Sequence, residues 1–333
     1  MLPSSIPIPI PGGLHDPLPR FVKVGQKFDL SALSDVDAAV AEQFQRFADI
    51  DLTGKSVAVG VGSRGIKQQP DVVKALIREL KAAGAKPFII PAMGSHGGGS
   101  AEGQTAVLAS YGYTEENIGA PIRSSLEVVE LGRIEHNVPV YCDKFAMEAD
   151  HIIMCNRVKP HTDFRARHES GLIKMLAIGM AKHAGATALH FHGMGNFKTL
   201  LPAAAKVFLE KTPTLFGVAM VENAEENLKH LEFVAPDDFF DRDAALLELA
   251  KTSIPRLFFN AIDVLIIDEI GKDISGAGMD PNVTGRPPSA LPGFESGLSI
   301  DRIVVRDLTK KTEGNSTGIG SADVTTQRLV QKV

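Results

Sequence analysis

The sequence predicts an α/β fold with two domains, built from mixed or parallel sheets with flanking helices. Short β-rich runs alternate with amphipathic helical patterns along the chain, which is the pattern of this class. The 333 residues also exceed the length of about 150 that is usual for one domain. A loose boundary near residues 252–258 leads us to expect a larger N-terminal domain over residues 1–255. A short or truncated C-terminal α/β domain would occupy residues 256–333.

The first predicted elements alternate between helix and strand. Asp35 is suited to begin the first helix and Gly84 to follow the end of the second. The βαβ spacing predicts parallel pairing, which brings the loops after the strands to one edge of the sheet, where ligands usually bind. In order, these elements are a helix at 35–48, a strand at 55–61, a helix at 70–84 and a strand at 86–93.

The later elements continue the alternation. A predicted strand at 149–158 ends in a polar loop around His161, and an apolar run at 260–268 predicts a buried strand followed by a loop over 269–286. Further helices are predicted at 196–210, at 237–252 and in the last residues, 327–333.

Composition narrows the class of partner. The formal net charge of −5 gives no general reason to expect nucleic acid or an anionic membrane. No signal peptide is recognisable, and no apolar run approaches the ~18 residues of a membrane span. Cys142 and Cys155 lack metal-type spacing and are expected to be reduced core thiols. We therefore expect a cytoplasmic protein with a small-molecule ligand; the sequence does not set its oligomeric state.

The stretch GVGSRG, Gly60–Gly65, fits the glycine pattern of a dinucleotide-binding turn. That fingerprint also needs an acidic residue near the end of the second strand, and IIPAMGSH supplies none, which argues against NAD. A phosphate or carboxylate held by backbone N–H groups and Arg64 is compatible with the pattern. A tight turn with an exposed arginine is the structural alternative.

Two further stretches carry polar side chains at predicted loops. GSHGGGSAEG places His96 among glycines, where an imidazole could exchange protons, although a solvent-facing loop histidine is the simpler interpretation. NRVKPHTDFRARHESG concentrates basic and imidazole groups, among them Arg165, Arg167 and His168. Such a cluster suits a small carboxylate substrate, and the alternative is a solvated charged loop.

Histidines and a lysine cluster in the following stretch. Five of the ten histidines lie within residues 161–192, about a tenth of the chain. Lys174 lies in the apolar run SGLIKMLAIG, so its amine must lose its charge or find a partner. A zinc hydrolase is one explanation, because imidazole is a common zinc ligand, but no H-E-x-x-H motif is present. Metal binding and acid–base chemistry both stay open on this pattern.

The order of these residues resembles the nickel-pincer-nucleotide-dependent lactate racemase family. The matching positions are a turn histidine, a Pro-His histidine, an S-G-x-x-K lysine and a further histidine: His96, His161, Lys174 and His190. Arg64 resembles the family's arginine near the reacting carbon, and GKDIS at 271–275 resembles a family segment of the C-terminal domain. The resemblance covers about residues 55–290 and assigns residues 1–255 to a lactate-racemase-like catalytic domain.

The resemblance implies the cofactor and the roles of individual residues. The cofactor would be the nickel-pincer nucleotide, pyridinium-3,5-bisthiocarboxylic acid mononucleotide nickel, supplied by cofactor-biosynthesis enzymes. His190 would bind nickel and Lys174 could bond covalently to the cofactor, with Ser63, Arg64 and Gly171 beside it. His96 and His161 would be the two acid–base groups, and Arg64 would stabilise charge. The implied activity is racemisation or epimerisation of a 2-hydroxy acid by hydride transfer to and from the cofactor.

Departures from the family concern the substrate. The spacing from His161 to Lys174 is longer than in the lactate enzymes, and Val61 stands where the family has an aspartate. The family's lactate-binding glutamine and lysine have no counterpart after residue 275. These differences favour a larger or more polar 2-hydroxy acid than lactate. The candidate substrate residues are Arg165, Arg167, His168, Lys272 and Asn282.

Two other functions remain compatible with the same residues. One is a zinc-dependent hydrolase built on the histidine cluster. The other is a non-catalytic protein that binds a nickel nucleotide or an acidic metabolite. In the racemase interpretation the site would lie in a cleft between the two domains.

Overall fold

The computed structural model describes residues 20–62, 66–294 and 298–333 and has the predicted α/β architecture. The strands are Ser56–Val61 (β1), Lys86–Pro91 (β2), Val128–Ile134 (β3), Val138–Asp143 (β4), His151–Arg157 (β5), Thr214–Glu222 (β6), Leu228–Val234 (β7), Ala261–Ile270 (β8), Ser299–Leu308 (β9) and Val324–Thr325 (β10). The helices are Val36–Gln45 (α1), Gln69–Ala82 (α2), Ala101–Ser110 (α3), Glu115–Ile118 (α4), Lys144–Met147 (α5), Leu172–Lys174 (α6), Lys182–His190 (α7), Phe197–Lys211 (α8), Phe239–Ser253 (α9), Pro281–Thr284 (α10) and Gln327–Val330 (α11).

The main sheet has the strand order β2-β1-β5-β6-β7. Its first four strands are parallel and β7 is antiparallel to β6. Apolar clusters lie on both of its faces, which explains why β1 and β6 are apolar throughout rather than alternating. The carboxyl ends of β1, β2 and β5 therefore lie side by side, as the βαβ spacing predicts.

The ends of the first two helices follow the predicted signals. Asp35 accepts a hydrogen bond from the backbone N–H of Ala38 at 2.9 Å, a cap that stabilises a helix by about 1 kcal/mol. Gly84 follows the end of α2 with a φ of 81°, a left-handed conformation that favours glycine. Both cysteines are free and buried, as expected, and burial raises the pKa of the Cys142 and Cys155 thiols.

The second sheet corrects one prediction. Its three strands, in the order β10-β9-β8, are parallel, and β8 is largely exposed, so the interpretation of this run as a buried strand is wrong. Leu265 and Ile267 pack against the small cluster around Ile303, whereas Val264 and Ile266 on the opposite face are 53% and 57% exposed. A continuous apolar run does not reveal that only one face of a sheet is covered.

Several elements carried no clear signal in the sequence. These are the strands β3, β6, β7 and β9 and a π-helical turn at Met175–Gly179 that continues α6. The β3–β4 hairpin turns through His136 and Asn137, both with φ near 60°. Among the described helices, none is both long enough and apolar enough to cross a bilayer.

A fully buried lysine joins α7 to two strands. Lys182 is 0% exposed; its Nζ donates to the backbone oxygen of Pro91 at 2.7 Å and lies 3.3 Å from Asp143 Oδ2. Burial lowers the pKa of Lys182, and the facing Asp143 opposes that shift. Burial likewise raises the pKa of Asp143. Removing one partner would leave the other as an uncompensated buried charge.

We expect Lys182→Met to lower the free energy of unfolding by about 3–5 kcal/mol, because Asp143 would then be buried alone. Chemical denaturation monitored by circular dichroism would measure this change. The exposed Lys86 is a matched control, and Lys86→Met should change the value by no more than about 0.5 kcal/mol. A change in Lys182→Met as small as in that control would contradict the importance of the pair.

Candidate active site

Three loops converge at the carboxyl edge of the main sheet. A Cβ atom on Gly62, just after β1, would lie 3.5 Å from Asn156 Oδ1 at the end of β5. It would lie equally close to Met175 Cε, next to Lys174. A Cβ on Gly94, after β2, would lie 3.3 Å from the Cβ of Ala186 in α7. The loops after β1 and β2 therefore pack against the segment that carries Lys174 and His190.

The most informative contact joins two predicted site residues that are thirteen positions apart. His161 Nε2 lies 2.7 Å from Lys174 Nζ. His161 is only 8% exposed, whereas Lys174 is partly exposed at the junction of α6 and the π-helical turn. The apolar flanks of Lys174 are buried, and an imidazole is one partner of its amine.

The protonation states of this pair follow from a second hydrogen bond. The backbone N–H of Asp163 donates to His161 Nδ1 at 3.0 Å, so Nδ1 carries no proton. A neutral imidazole then holds its proton on Nε2, and Nε2–H donates toward Lys174 Nζ. An ammonium group has three donors and no acceptor. The contact therefore requires Lys174 to be a neutral amine with its lone pair directed at His161.

A buried carboxylate holds the backbone of His161. Glu169, 1% exposed, accepts the backbone N–H of His161 at 2.7 Å through Oε2 and that of Ala166 at 3.4 Å through Oε1. Arg165 lies 3.1 Å from Glu169 Oε2 and also donates to the carbonyl of His161 at 2.7 Å. Burial raises the pKa of Glu169, against the opposing effects of these donors and of Lys251. The carboxylate thus orients His161 while it is itself costly to ionise.

The ends of the same loop are joined by backbone hydrogen bonds. The N–H of Lys159 donates to the carbonyl of Ser170 at 2.8 Å, and that of Ser170 donates back at 3.2 Å. The residues between them therefore form a closed loop. Its two ends keep their position at the sheet edge whatever the loop contains.

A second buried carboxylate fixes the turn that carries Lys174. Asp243 of α9 accepts the backbone N–H of Leu172 at 2.7 Å and faces His168 Nδ1 at 3.1 Å. A Cβ on Gly171 would lie 2.0 Å from Asp243 Oδ1, so only glycine fits there. The carbonyl of Gly171 accepts a hydrogen bond from Asn156 at 3.1 Å. Gly171, predicted as a cofactor contact, thus has a clear structural role; its cofactor contact stays a prediction.

His190, the predicted nickel ligand, is exposed at the end of α7. Its Nδ1 lies 2.6 Å from the carbonyl of Ala186, which fixes the proton on Nδ1 and directs the lone pair of Nε2 outward. The ring packs edge-on against Phe197, with 5.0 Å between centroids. Phe197 packs against Phe164, which packs against His161 at 4.4 Å. A continuous aromatic row therefore joins His190 to His161.

His96 lies in the glycine-rich turn after β2 and is exposed, as predicted. Gly97, Gly98 and Gly99 all have φ near 65°. A Cβ on Gly97 would lie 2.6 Å from the backbone of Gln104, so glycine is required for this close approach. The turn packs against α7, because Gly94 lies beside Ala186 and Gly99 beside His183.

The predicted substrate residues fall into two groups. Arg165 and Asn282 are bonded to each other and to the carbonyl of His161, and His168 is 5% exposed against Asp243. Arg167 and Lys272 are exposed, with Arg167 paired to Asp241 on the surface. Ser63 and Arg64 lie outside the described residues. Substrate contacts by the five named side chains stay predictions.

The second-sheet segment supports the loop that carries His161. The guanidinium of Arg165 stacks 3.6 Å from the centre of the Phe294 ring, and its Nε donates to the carbonyl of Gly293 at 3.2 Å. Ser289 Oγ donates to the carbonyl of Asp163 at 2.5 Å. Residues 282–294 therefore hold both the loop and the residue that sets the tautomer of His161.

Within residues 20–62, 66–294 and 298–333, no group of three or more histidine, cysteine, aspartate or glutamate side chains could hold a metal ion. A zinc hydrolase normally provides three such ligands, and that interpretation has no such cluster in this part of the chain. A site to which the protein contributes a single imidazole is compatible with the arrangement of His190.

Comparison with known proteins supports the family. Residues 43–199 match the model of the lactate racemase N-terminal domain. The fold is similar to that of the lactate racemase apoprotein from Thermoanaerobacterium thermosaccharolyticum, with a TM-score of 0.54 and 10% sequence identity. The match covers 92% of this chain and 88% of that one. No curated protein sequence is matched significantly. The predicted family resemblance and fold class are confirmed.

We expect Glu169 to make the folded state less stable as pH rises. Because burial raises its folded pKa above 4.5, the ordinary value, its contribution is fully present below about 4.5 and is lost as pH rises through the folded pKa. Glu169→Gln removes this ionisation. The free energy of unfolding of the wild type, relative to Glu169→Gln, should therefore fall with increasing pH.

Urea denaturation of both proteins across this pH range would measure the difference. Glu116→Gln, at an exposed position in the first turn of α4, is the control and should show a difference that stays constant with pH. A difference for Glu169→Gln that rises with pH would mean that its hydrogen bonds outweigh the cost of burial.

Proposed function

We propose that this chain, a homologue of the lactate racemase family over residues 43–199, is a racemase or epimerase of a 2-hydroxy acid that uses a nickel-pincer nucleotide. The contact of His161 with a neutral Lys174 is the observation that carries the proposal. It unites a proton-transfer group with a nucleophilic amine, in a match to the family's N-terminal domain. We further propose that residues 1–255 form the catalytic domain and residues 256–333 a second α/β domain.

The donor set near Lys174 fits such a cofactor. His190 presents one imidazole nitrogen, with its tautomer fixed by Ala186, and imidazole suits a nickel centre. Lys174 offers a neutral amine, suited to a covalent bond with an electrophilic carbon of the nucleotide. Gly171 and, outside the described residues, Ser63 and Arg64 are the other proposed contacts. When bound, the cofactor supplies a carbon that accepts hydride from C2 of the substrate and returns it.

Two histidines are proposed to move the protons of the reaction. His161 faces the 2-hydroxyl through Nε2, because Nδ1 is held by the N–H of Asp163. To take the hydroxyl proton at Nε2, it must carry its own proton on Nδ1, 3.9 Å from Asp163 Oδ2. His96 serves the opposite enantiomer, whose hydroxyl lies on the other side. Arg64 is proposed to stabilise charge on the substrate. The glycines around His96 would let the substrate approach that turn closely.

The geometry suggests a division among the proposed substrate residues. We assign Arg165, His168 and Asn282 to the support of the loop, because their polar groups are already bonded within the protein. Arg167 and Lys272 are exposed and remain the candidates for a larger or more polar 2-hydroxy acid than lactate. The proposed partners are this substrate and the enzymes that make the cofactor, in the cytoplasm.

The cofactor assignment predicts that the protein made together with nickel and the cofactor-forming enzymes contains nickel and a nucleotide-sized mass adduct. His190→Ala should lose most of the nickel, and Lys174→Ala should lose the covalent adduct. Metal analysis and intact-mass spectrometry measure both without a substrate. His230→Ala, a partly exposed position in β7, is the control and should keep both. If the wild type contains zinc and no nickel, the cofactor assignment is wrong.

The acid–base assignment predicts that His96→Ala and His161→Ala keep nickel and nucleotide but lose interconversion by at least about 100-fold, the usual contribution of a positioned acid or base. A panel of 2-hydroxy acids followed by chiral chromatography would measure turnover. Turnover that survives in both variants would contradict the roles of these histidines and favour a binding protein.

A further inference from the structure

The amine of Lys174 has a chemical capability that does not depend on nickel. We propose that Lys174, in the protein without its cofactor, forms Schiff bases with small carbonyl compounds such as 2-oxo acids, and that His161 assists by donating a hydrogen bond from Nε2–H, first to the amine and then to the carbonyl oxygen. The inference rests on the contact between the two side chains and on the hydrogen bond that fixes the tautomer of His161.

Imine formation needs a neutral amine at neutral pH, which an exposed lysine rarely provides. The hydrogen bond from Asp163 leaves the only proton of a neutral His161 on Nε2, so Lys174 Nζ accepts rather than donates. Leu172, Ile173 and Leu176 beside it are 0% exposed, which further disfavours an ammonium ion. Lys174 itself is partly exposed, so a small carbonyl compound can reach the amine.

The reaction balances without an oxidant or a reductant. The lone pair of Nζ forms a bond to the carbonyl carbon, the π electrons of the C=O bond move to oxygen, and His161 Nε2–H donates a hydrogen bond to that oxygen. Solvent water carries one proton from the new ammonium to the alkoxide, giving a neutral carbinolamine. The nitrogen lone pair then forms the C=N bond as the hydroxyl takes a proton from solvent and leaves as water, and the iminium nitrogen gives its last proton back to solvent. One water is released, and His161 keeps its Nε2 proton throughout.

The loop beside the site has little net charge. Arg157, Arg165 and Arg167 are paired with Glu222, Glu169 and Asp241, respectively. Glyoxylate is the simplest probe, because it combines an unhindered aldehyde with a carboxylate.

The test uses the full chain produced without nickel or cofactor-forming enzymes. The protein is treated with glyoxylate and cyanoborohydride at neutral pH, and peptide mass spectrometry compares carboxymethylation of Lys174 with that of the exposed Lys310. We expect Lys174 to react at least about 10-fold faster, because its contact with His161 requires a neutral amine whereas an ordinary exposed lysine is almost fully protonated at neutral pH. Equal rates at the two lysines would overturn the proposal.

Two further results test the part played by His161. His161→Asn should abolish the advantage of Lys174, whereas His136→Asn, at an exposed turn position with left-handed φ that asparagine tolerates, should keep it. An advantage that survives in His161→Asn overturns the role of the imidazole. If that variant does not fold, the wild type still decides: the advantage of Lys174 must shrink as the pH rises toward the range in which exposed lysines lose their protons.

The result is independent of the proposed racemase activity. If the protein forms the imine but never takes up nickel, this inference holds and the proposed function is wrong. If it binds nickel and nucleotide but shows no preference for Lys174, the proposed function holds and this inference is wrong.

Discussion

The arrangement of the candidate site depends on two buried carboxylates that hold backbone N–H groups. Glu169 accepts the N–H of His161, and Asp243 accepts that of Leu172, two residues before Lys174. Each carboxylate therefore fixes one end of the contact between imidazole and amine. Each carboxylate binds a backbone N–H group, so both act on the geometry of the proposed site.

The position of His161 also couples the two sheets of the protein. The carbonyl of His161 accepts from Arg165, whose guanidinium is stacked on Phe294. The residue whose N–H fixes the tautomer, Asp163, is held through its carbonyl by Ser289. A change in the segment at 282–294 would thus alter the proton position on an imidazole in the other part of the fold. The rings of Phe164 and Phe197 connect His161 to His190. The position of His161 therefore also constrains that of the proposed metal ligand.

The sequence predicted local features well and long-range partners poorly. Local pattern and composition predict the helix cap at Asp35, the parallel pairing of β1 with β2 and the need of the Lys174 amine for a partner. The partners of His168 and Leu172 lie more than seventy residues away on α9, and no spacing rule relates them. The sequence places His168 at the substrate because it lies in a cluster of basic residues, and its buried partner Asp243 is not apparent from that cluster. The exposure of β8 likewise depends on whether another element covers the second face of its sheet. The sequence of the strand does not contain that information.

Two backbone hydrogen bonds between Lys159 and Ser170 join the ends of the loop that lies between them. The attachment of the loop therefore does not depend on the side chains that it contains. Insertions or substitutions between these two residues change the shape and charge presented to a ligand, while the strand before and the turn after keep their positions. Only the exposed positions of the loop, such as Arg167, can vary in this way, because His161, Asp163 and Glu169 lie in the same loop and make the contacts of the proposed site.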